Sequence, residues 1–155
     1  MIQLILTTLC YIRKEDEILM LYRNKKENDI NEGKWVGVGG KLEEGESPEE
    51  CVIREVLEET GLTIKNPKLK AYITFPKLYY GQDEGMFLFV CDNFSGTIHE
   101  CNEGTLAWVK EKEILQLPLW QGDHYFFDWI KEPRFTTAKM IYQDDQLVDV
   151  TYFHY

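Results

Sequence analysis

The chain has 155 residues, 27 acids against 17 bases and a formal net charge of −10. Apolar residues at 44% and aromatics at 14% exclude a disordered polymer, and the length suits one domain, 1–155, with its own core. The acidity and the scattered bases argue against wholesale binding of long nucleic acid, since Arg23, Lys25 and Lys26 are the only short basic group; a phosphate partner would have to arrive with a cation. The opening MIQLILTTLCYIRK lacks a basic leader and a small-residue cleavage site, and its apolar stretch is too short to cross a bilayer. Cys10, Cys51, Cys91 and Cys101 form no C-x-x-C pair and read as small apolar residues of a reducing compartment. The expectation is a cytoplasmic protein without a membrane partner.

In chain order, residues 2–12 and 17–23 read as strands of a hairpin around Lys14–Asp16. Residues 24–34 are polar and loop-like. The segment WVGVGGK follows, where Gly37, Gly39 and Gly40 allow close approach to a ligand. Residues 47–60 are the clearest helix: Ser47 caps it, Pro48 suits the first position, Glu50 completes a capping box and Gly61 stops it. Strands are expected at 68–75, 86–91 and 104–109. A second helix is expected from about Gly122 to before Pro133, then a hairpin of 137–142 and 147–153 around Gln143–Gln146. Strands outnumber helices, which predicts an α+β arrangement around a mixed sheet.

On the first helix Glu55, Glu58 and Glu59 stand at i, i+3 and i+4, so three carboxylates share one face, while Val52, Ile53 and Val56 supply an apolar side. An acidic helix taken alone is a solvated surface; three clustered carboxylates also suit a hard divalent cation. The wider spacing decides between these. Gly40, five residues, Glu46, seven residues, Arg54-Glu55-Val56, one residue, Glu58-Glu59, one residue, Gly61-Leu62 is G-x5-E-x7-R-E-U-x-E-E-x-G-U, where U is aliphatic. With this box at 40–62 the chain resembles the Nudix hydrolases.

The resemblance implies a Nudix fold, an α/β/α sandwich with a mixed sheet. It also implies Mg²⁺ or Mn²⁺ and attack of water at phosphorus of a nucleoside diphosphate-linked substrate. It makes Glu55, Glu58, Glu59 and the Gly40 carbonyl metal ligands, with Arg54 and Glu46 holding them in place. Two candidates stand for the general base: Glu55, and Glu103 beyond the box, which is also a candidate ligand. The likeness runs along nearly the whole chain, through GKWVGVGGKLEEGE, Phe75, ECNEGTLAW and LWQGDHYFFDW, and is greatest to the MutT-like branch, in particular its bacterial MutX type. That branch cleanses oxidised nucleotides, so the expected reaction converts an oxidised purine nucleoside triphosphate such as 8-oxo-dGTP to monophosphate and pyrophosphate. Arg23 and Lys41 then face phosphates, and Trp120, Asp123 and Phe75 face the base. Taken alone, Arg23 is a strand-end arginine and Trp120 a packing residue. The chain departs from the mammalian members of the branch at Val36, where they carry asparagine, and at Gly122, where they carry a second acid.

Two other readings stand beside this one. A Nudix hydrolase can act on dinucleoside polyphosphates, nucleotide sugars or capped RNA, and a Nudix scaffold can bind nucleotides without turnover. His99, His124 and His154 have no ligand spacing, and Trp35, Trp108 and Trp129 read as packing.

Overall fold

The computed structural model describes residues 3–155, so Ile2 of the expected first strand lies outside the described residues. Strands β1 (Leu4–Lys14) and β2 (Glu17–Tyr22) form the expected antiparallel hairpin, turning at Glu15 with φ 56°. A two-residue β3 (Trp35–Val36) lies beside β2 and leads into the glycine segment. Backbone bonds then lace that segment to β1: Val38 and Cys10 bond reciprocally, and Thr8 N–H donates to the Gly40 carbonyl at 2.8 Å. Gly39 is needed here, because a Cβ would run into the Thr8 carbonyl.

Helix α1 (Pro48–Thr60) starts and stops where its caps dictate. Glu50 N–H donates to Ser47 Oγ at 3.1 Å and Ser47 N–H donates to Glu50 Oε1 at 3.0 Å. Gly61 takes φ 84° and closes the last turn through its N–H to the Leu57 carbonyl. Beyond it lie β4 (Leu62–Ile64), β5 (Lys68–Tyr79), β6 (Gln82–Cys91), β7 (Phe94–Gly96), β8 (Thr105–Lys110), the single turn α2 (Glu111–Ile114), α3 (Asp123–Trp129), β9 (Thr136–Gln143) and β10 (Gln146–His154).

The main sheet runs β10-β9-β5-β6-β1-β2-β3, with β8 also paired to β2. It is mixed: β1–β6 and β5–β9 are parallel and the other neighbours antiparallel. Side chains alternate between its faces. Cys10, Ile12, Leu19 and Phe89 pack with Val52 and Val56 of α1; Tyr11, Ile18, Met20 and Leu88 pack with Phe126, Phe127 and Trp129 of α3. Helices therefore cover both faces, as the sandwich expectation required.

Three features differ from expectation. β5 and β6 run on past 75 and start before 86 to meet at Tyr80-Gly81, with φ 50° and 82°; Pro76 is tolerated because the pairing breaks register between Phe75 and Tyr79. The pair β4–β7 and the turn α2 were not expected; each is too short to show a period. Among the described residues, no helix is long and apolar enough to cross a membrane. All four cysteines are buried and free.

Candidate active site

A cleft of about 330 Å³ opens where the glycine segment leaves β1, bounded by β5, β6, β9 and the start of α3. One end is acidic. Glu55 and Glu59 reach it from α1 and Glu103 from the loop before β8, beside the backbone of Gly39 and Gly40. Gly40 and Glu55 are in such close approach that a Cβ on Gly40 would collide with the carboxylate. Glu59 is 9% exposed, and its Oε2 is buried without a hydrogen-bond partner. Burial, and next the neighbouring charge of Glu103, push its carboxyl up to about 9. Burial also raises Glu55, against the pull of Arg54.

Arg54 organises the rim. Its guanidinium donates to both oxygens of Glu46, at 2.6 and 2.9 Å, to Glu55 Oε1 at 2.8 Å and to the Lys41 carbonyl at 3.2 Å. Held this way, Glu46 titrates at about 2. Arg54 also takes Glu58 Oε2 at 3.3 Å. Glu58 thus lies against the arginine on the exposed side, its side chain 59% exposed, and does not line the cleft, although helical spacing puts it with Glu55 and Glu59.

Arg23 is no free strand-end arginine. Nε donates to buried Asp29 at 2.7 Å and Nη1 lies 3.3 Å from Glu103, so it faces the cleft between two carboxylates. Lys26 stands 3.9 Å from the other oxygen of Glu103. Lys41 is exposed at the mouth.

The other end is apolar and aromatic: Phe75, Leu78, Met86, Trp120, Phe126 and Tyr142. Trp120 is fixed on several sides. Its Nε1 donates to Asn31 Oδ1 at 2.8 Å, Lys34 Nζ stands 4.4 Å over its ring, and Tyr142 meets it edge-on at 5.1 Å between centroids. Asp123, at the first position of α3, is 5% exposed, and burial pushes its carboxyl up to about 8. Gly122 donates its N–H to Tyr142 Oη at 2.7 Å, and a Cβ there would stand 2.6 Å from both that oxygen and Met140 Sδ, so an acid at this position requires those two side chains to move.

The structure brings Gly40, Lys41, Glu55, Glu59, Glu103, Arg23, Phe75, Trp120 and Asp123 to one cleft, with Arg54 and Glu46 behind it. His124 is exposed and outside it. The cleft residues that were not foreseen include Asp29, Asn31, Tyr142 and Glu84. Of these four, only Glu84 had a signal. It lies on the face of β6 that carries Met86, Leu88 and Val90, and an acid on the buried side of an apolar strand asks for a reason. Thr7 Oγ1 donates to its Oε2 at 2.5 Å, and burial raises its carboxyl against that bond.

The donor set fits a divalent cation. An orphaned carboxylate oxygen on Glu59, two like charges beside it and a glycine carbonyl give hard oxygen ligands that a cation would satisfy. Among the described residues, no three Asp, Glu, His or Cys side chains stand grouped closely enough to hold a metal ion by themselves.

The NUDIX domain profile matches residues 4–130. The chain is 37% identical over 127 residues to the uncharacterised Nudix hydrolase YvcI of Bacillus subtilis, covering 79% of this chain and 77% of that one. It is 29% identical over 145 residues to the mouse oxidized purine nucleoside triphosphate hydrolase, covering 92% and 90%. The crystal structure of a MutT protein from Bacillus halodurans superposes with a TM-score of 0.84 at 32% identity, covering 96% and 97% of the two chains. With the signature, the sandwich and the cleft in agreement, the chain belongs to the Nudix hydrolase family, with MutT-like relatives.

Proposed function

We propose that this chain is a Mg²⁺- or Mn²⁺-dependent pyrophosphohydrolase that converts an oxidised purine nucleoside triphosphate, 8-oxo-dGTP as first choice, to the monophosphate and pyrophosphate. The supporting observation is one cleft with two unlike ends: carboxylates and Arg23 at one, aromatic rings with the buried Asp123 at the other. Its volume suits a small nucleotide. The polyphosphate belongs at the acidic end and the base at the aromatic one. A divalent cation bound there would neutralise the phosphates and lower the pKa of an attacking water.

In this reading Glu55, Glu59, Glu103 and the Gly40 carbonyl supply ligand oxygens, and Glu58 joins them when it leaves Arg54. Arg54 and Glu46 hold Glu55 in position. Glu55 takes the proton of the attacking water, its carboxyl lifted by burial; Glu103, tied to Arg23 and Lys26, is the alternative base. Arg23 and Lys41 face phosphate oxygens. Trp120 and Phe75 flank the base and Asp123, uncharged at neutral pH, offers it a proton. The acidity of the 40–62 segment, eight acids against two bases, then belongs to a cation site as well as to a solvated face.

The test is a substrate panel with Mg²⁺ read by product. Pyrophosphate release from 8-oxo-dGTP, with kcat/KM at least tenfold above dGTP, supports the proposal. A ratio near one leaves a broad triphosphatase, and turnover of dinucleoside polyphosphates or nucleotide sugars alone replaces the substrate class. Tight nucleotide binding without hydrolysis under either metal makes the chain a binding module.

A further inference from the structure

Glu84 is a half-buried acid of the cleft that the reaction above leaves unused and that, unlike Asp29, has no basic partner among the described residues. Its place is well defined. In the β5–β6 ladder it stands opposite Phe75, and two residues along β6 comes Met86, both linings of the aromatic end. In the β1–β6 ladder Thr7 stands opposite Met86, and its hydroxyl reaches Glu84 Oε2 at 2.5 Å. One carboxylate oxygen therefore has a partner and the rotamer is set. No protein donor bonds the other oxygen among the described residues, and it is not sealed in the interior. An acceptor held among apolar side chains and open to a ligand cavity costs free energy until a donor meets it.

We propose that Glu84 is a specificity residue: its free carboxylate oxygen accepts a hydrogen bond from an exocyclic amino group of the nucleobase, so that amino-bearing purines are selected over analogues without that group. The inference rests on the proposed function, since it needs the base at the aromatic end. Thr7 acts through Glu84 by orienting it. Asp123 approaches the same cavity from α3 and, being uncharged at neutral pH, can donate where Glu84 accepts. A base edge carrying a hydrogen-bond acceptor and an amino donor satisfies both carboxyls at once. This gives the chain a second polar contact to the base where Val36 and Gly122 supply none.

The probes are two nucleotide pairs that differ only by an amino group: dGTP with dITP, and dATP with the triphosphate of 2′-deoxynebularine. For the wild type, the amino-bearing member of at least one pair is expected to have kcat/KM tenfold or more above its partner. Glu84→Met, similar in volume and without the acceptor, is expected to bring that ratio to within twofold of one. Glu84→Gln, which keeps an acceptor, should retain part of the preference. Equal ratios in wild type and Glu84→Met for both pairs overturn the inference. So does an effect of Glu84→Met confined to ribose against deoxyribose substrates, which would assign the carboxyl to the sugar.

Calorimetric binding of the corresponding monophosphates, dGMP with dIMP and dAMP with the deoxynebularine monophosphate, reads the same contact without turnover. A wild type that hydrolyses none of the triphosphates but binds the amino-bearing monophosphate in a Glu84-dependent way refutes the function and upholds Glu84. Hydrolysis with no Glu84-dependent preference in either assay does the reverse. Thr7→Val is the check on folding: it leaves the carboxyl in place, and a reduced but present preference in a folded variant is expected, whereas an unchanged one removes Thr7 from the account.

Discussion

Arg54 grips Glu46 through two hydrogen bonds, Nε to Oε2 at 2.6 Å and Nη2 to Oε1 at 2.9 Å, and this fork aims Nη1 at Glu55 and Glu58. A lysine keeps the charge and loses the fork. Arg54→Lys is expected to lower kcat/KM by roughly 10- to 100-fold and to raise the Mg²⁺ concentration needed for half-maximal rate. Steady-state rates across a metal titration check this; an unchanged metal dependence would leave Arg54 a purely structural clamp.

Glu59 gives the metal-free protein a pH dependence of defined sign. Its folded carboxyl titrates near 9, well above the range of an unfolded glutamate, so the folded state binds the extra proton between those values. Its contribution is fully present below the unfolded value and is lost as pH rises towards 9. Thermal unfolding in EDTA should therefore show falling stability over that window, and Glu59→Gln should flatten the fall. Mg²⁺ should raise the midpoint of the wild type and not that of the variant.

Asp123 carries the same sign in its own window, from the usual aspartate range up to about 8. Because the group is uncharged at neutral pH, Asp123→Asn should keep KM for a purine triphosphate within a few-fold at pH 7. Wild-type KM should worsen as pH passes 8, and the variant should lack that rise. A wild-type KM flat between pH 7 and 9 would mean that the carboxyl does not meet the base.

Gly122 makes room for Tyr142. Gly122→Asp puts a Cβ against Tyr142 Oη and Met140 Sδ and disturbs the 2.7 Å bond from its own N–H. Overpacking of this kind costs about 1–3 kcal/mol. Chemical denaturation should show that loss, and the variant should gain no affinity for oxidised guanine, because Tyr142 and Met140 must shift to admit the new side chain.

Much of the acidic end was legible because its information is local. The caps of α1 lie within four residues of its ends, and one helical period ties Glu55 to Glu59. The period places Glu58 on the same stripe, but a period does not choose a rotamer: Arg54, four residues back, draws that side chain outward. The aromatic end was legible only at Phe75, Trp120 and Asp123, through resemblance. Tyr142 reaches the cleft because β9 pairs with β5 across more than sixty residues, and Asp29 because Arg23 turns back to it from the end of β2; neither pairing has a local signature. Glu84 was readable in principle, from the two-residue alternation of β6, once the strand was extended past Met86.

The parallel pairing of β5 with β9 bears on how the molecule is made. During synthesis the acidic end can assemble as soon as residues up to Glu103 have emerged, since β1, the glycine segment, α1 and β6 all lie before it. The slot beside β5 stays empty until Thr136–Gln143 follows, and until then Ile73 and Phe75 lack the cover of Ala138, Met140 and Tyr142. Such non-local pairing is slow to form and exposes apolar surface while it waits. A nascent or truncated chain ending near residue 130 would thus hold the acidic end of its cleft together with a half-open, sticky aromatic end, and the closing hairpin is the step on which a chaperone would have most to offer.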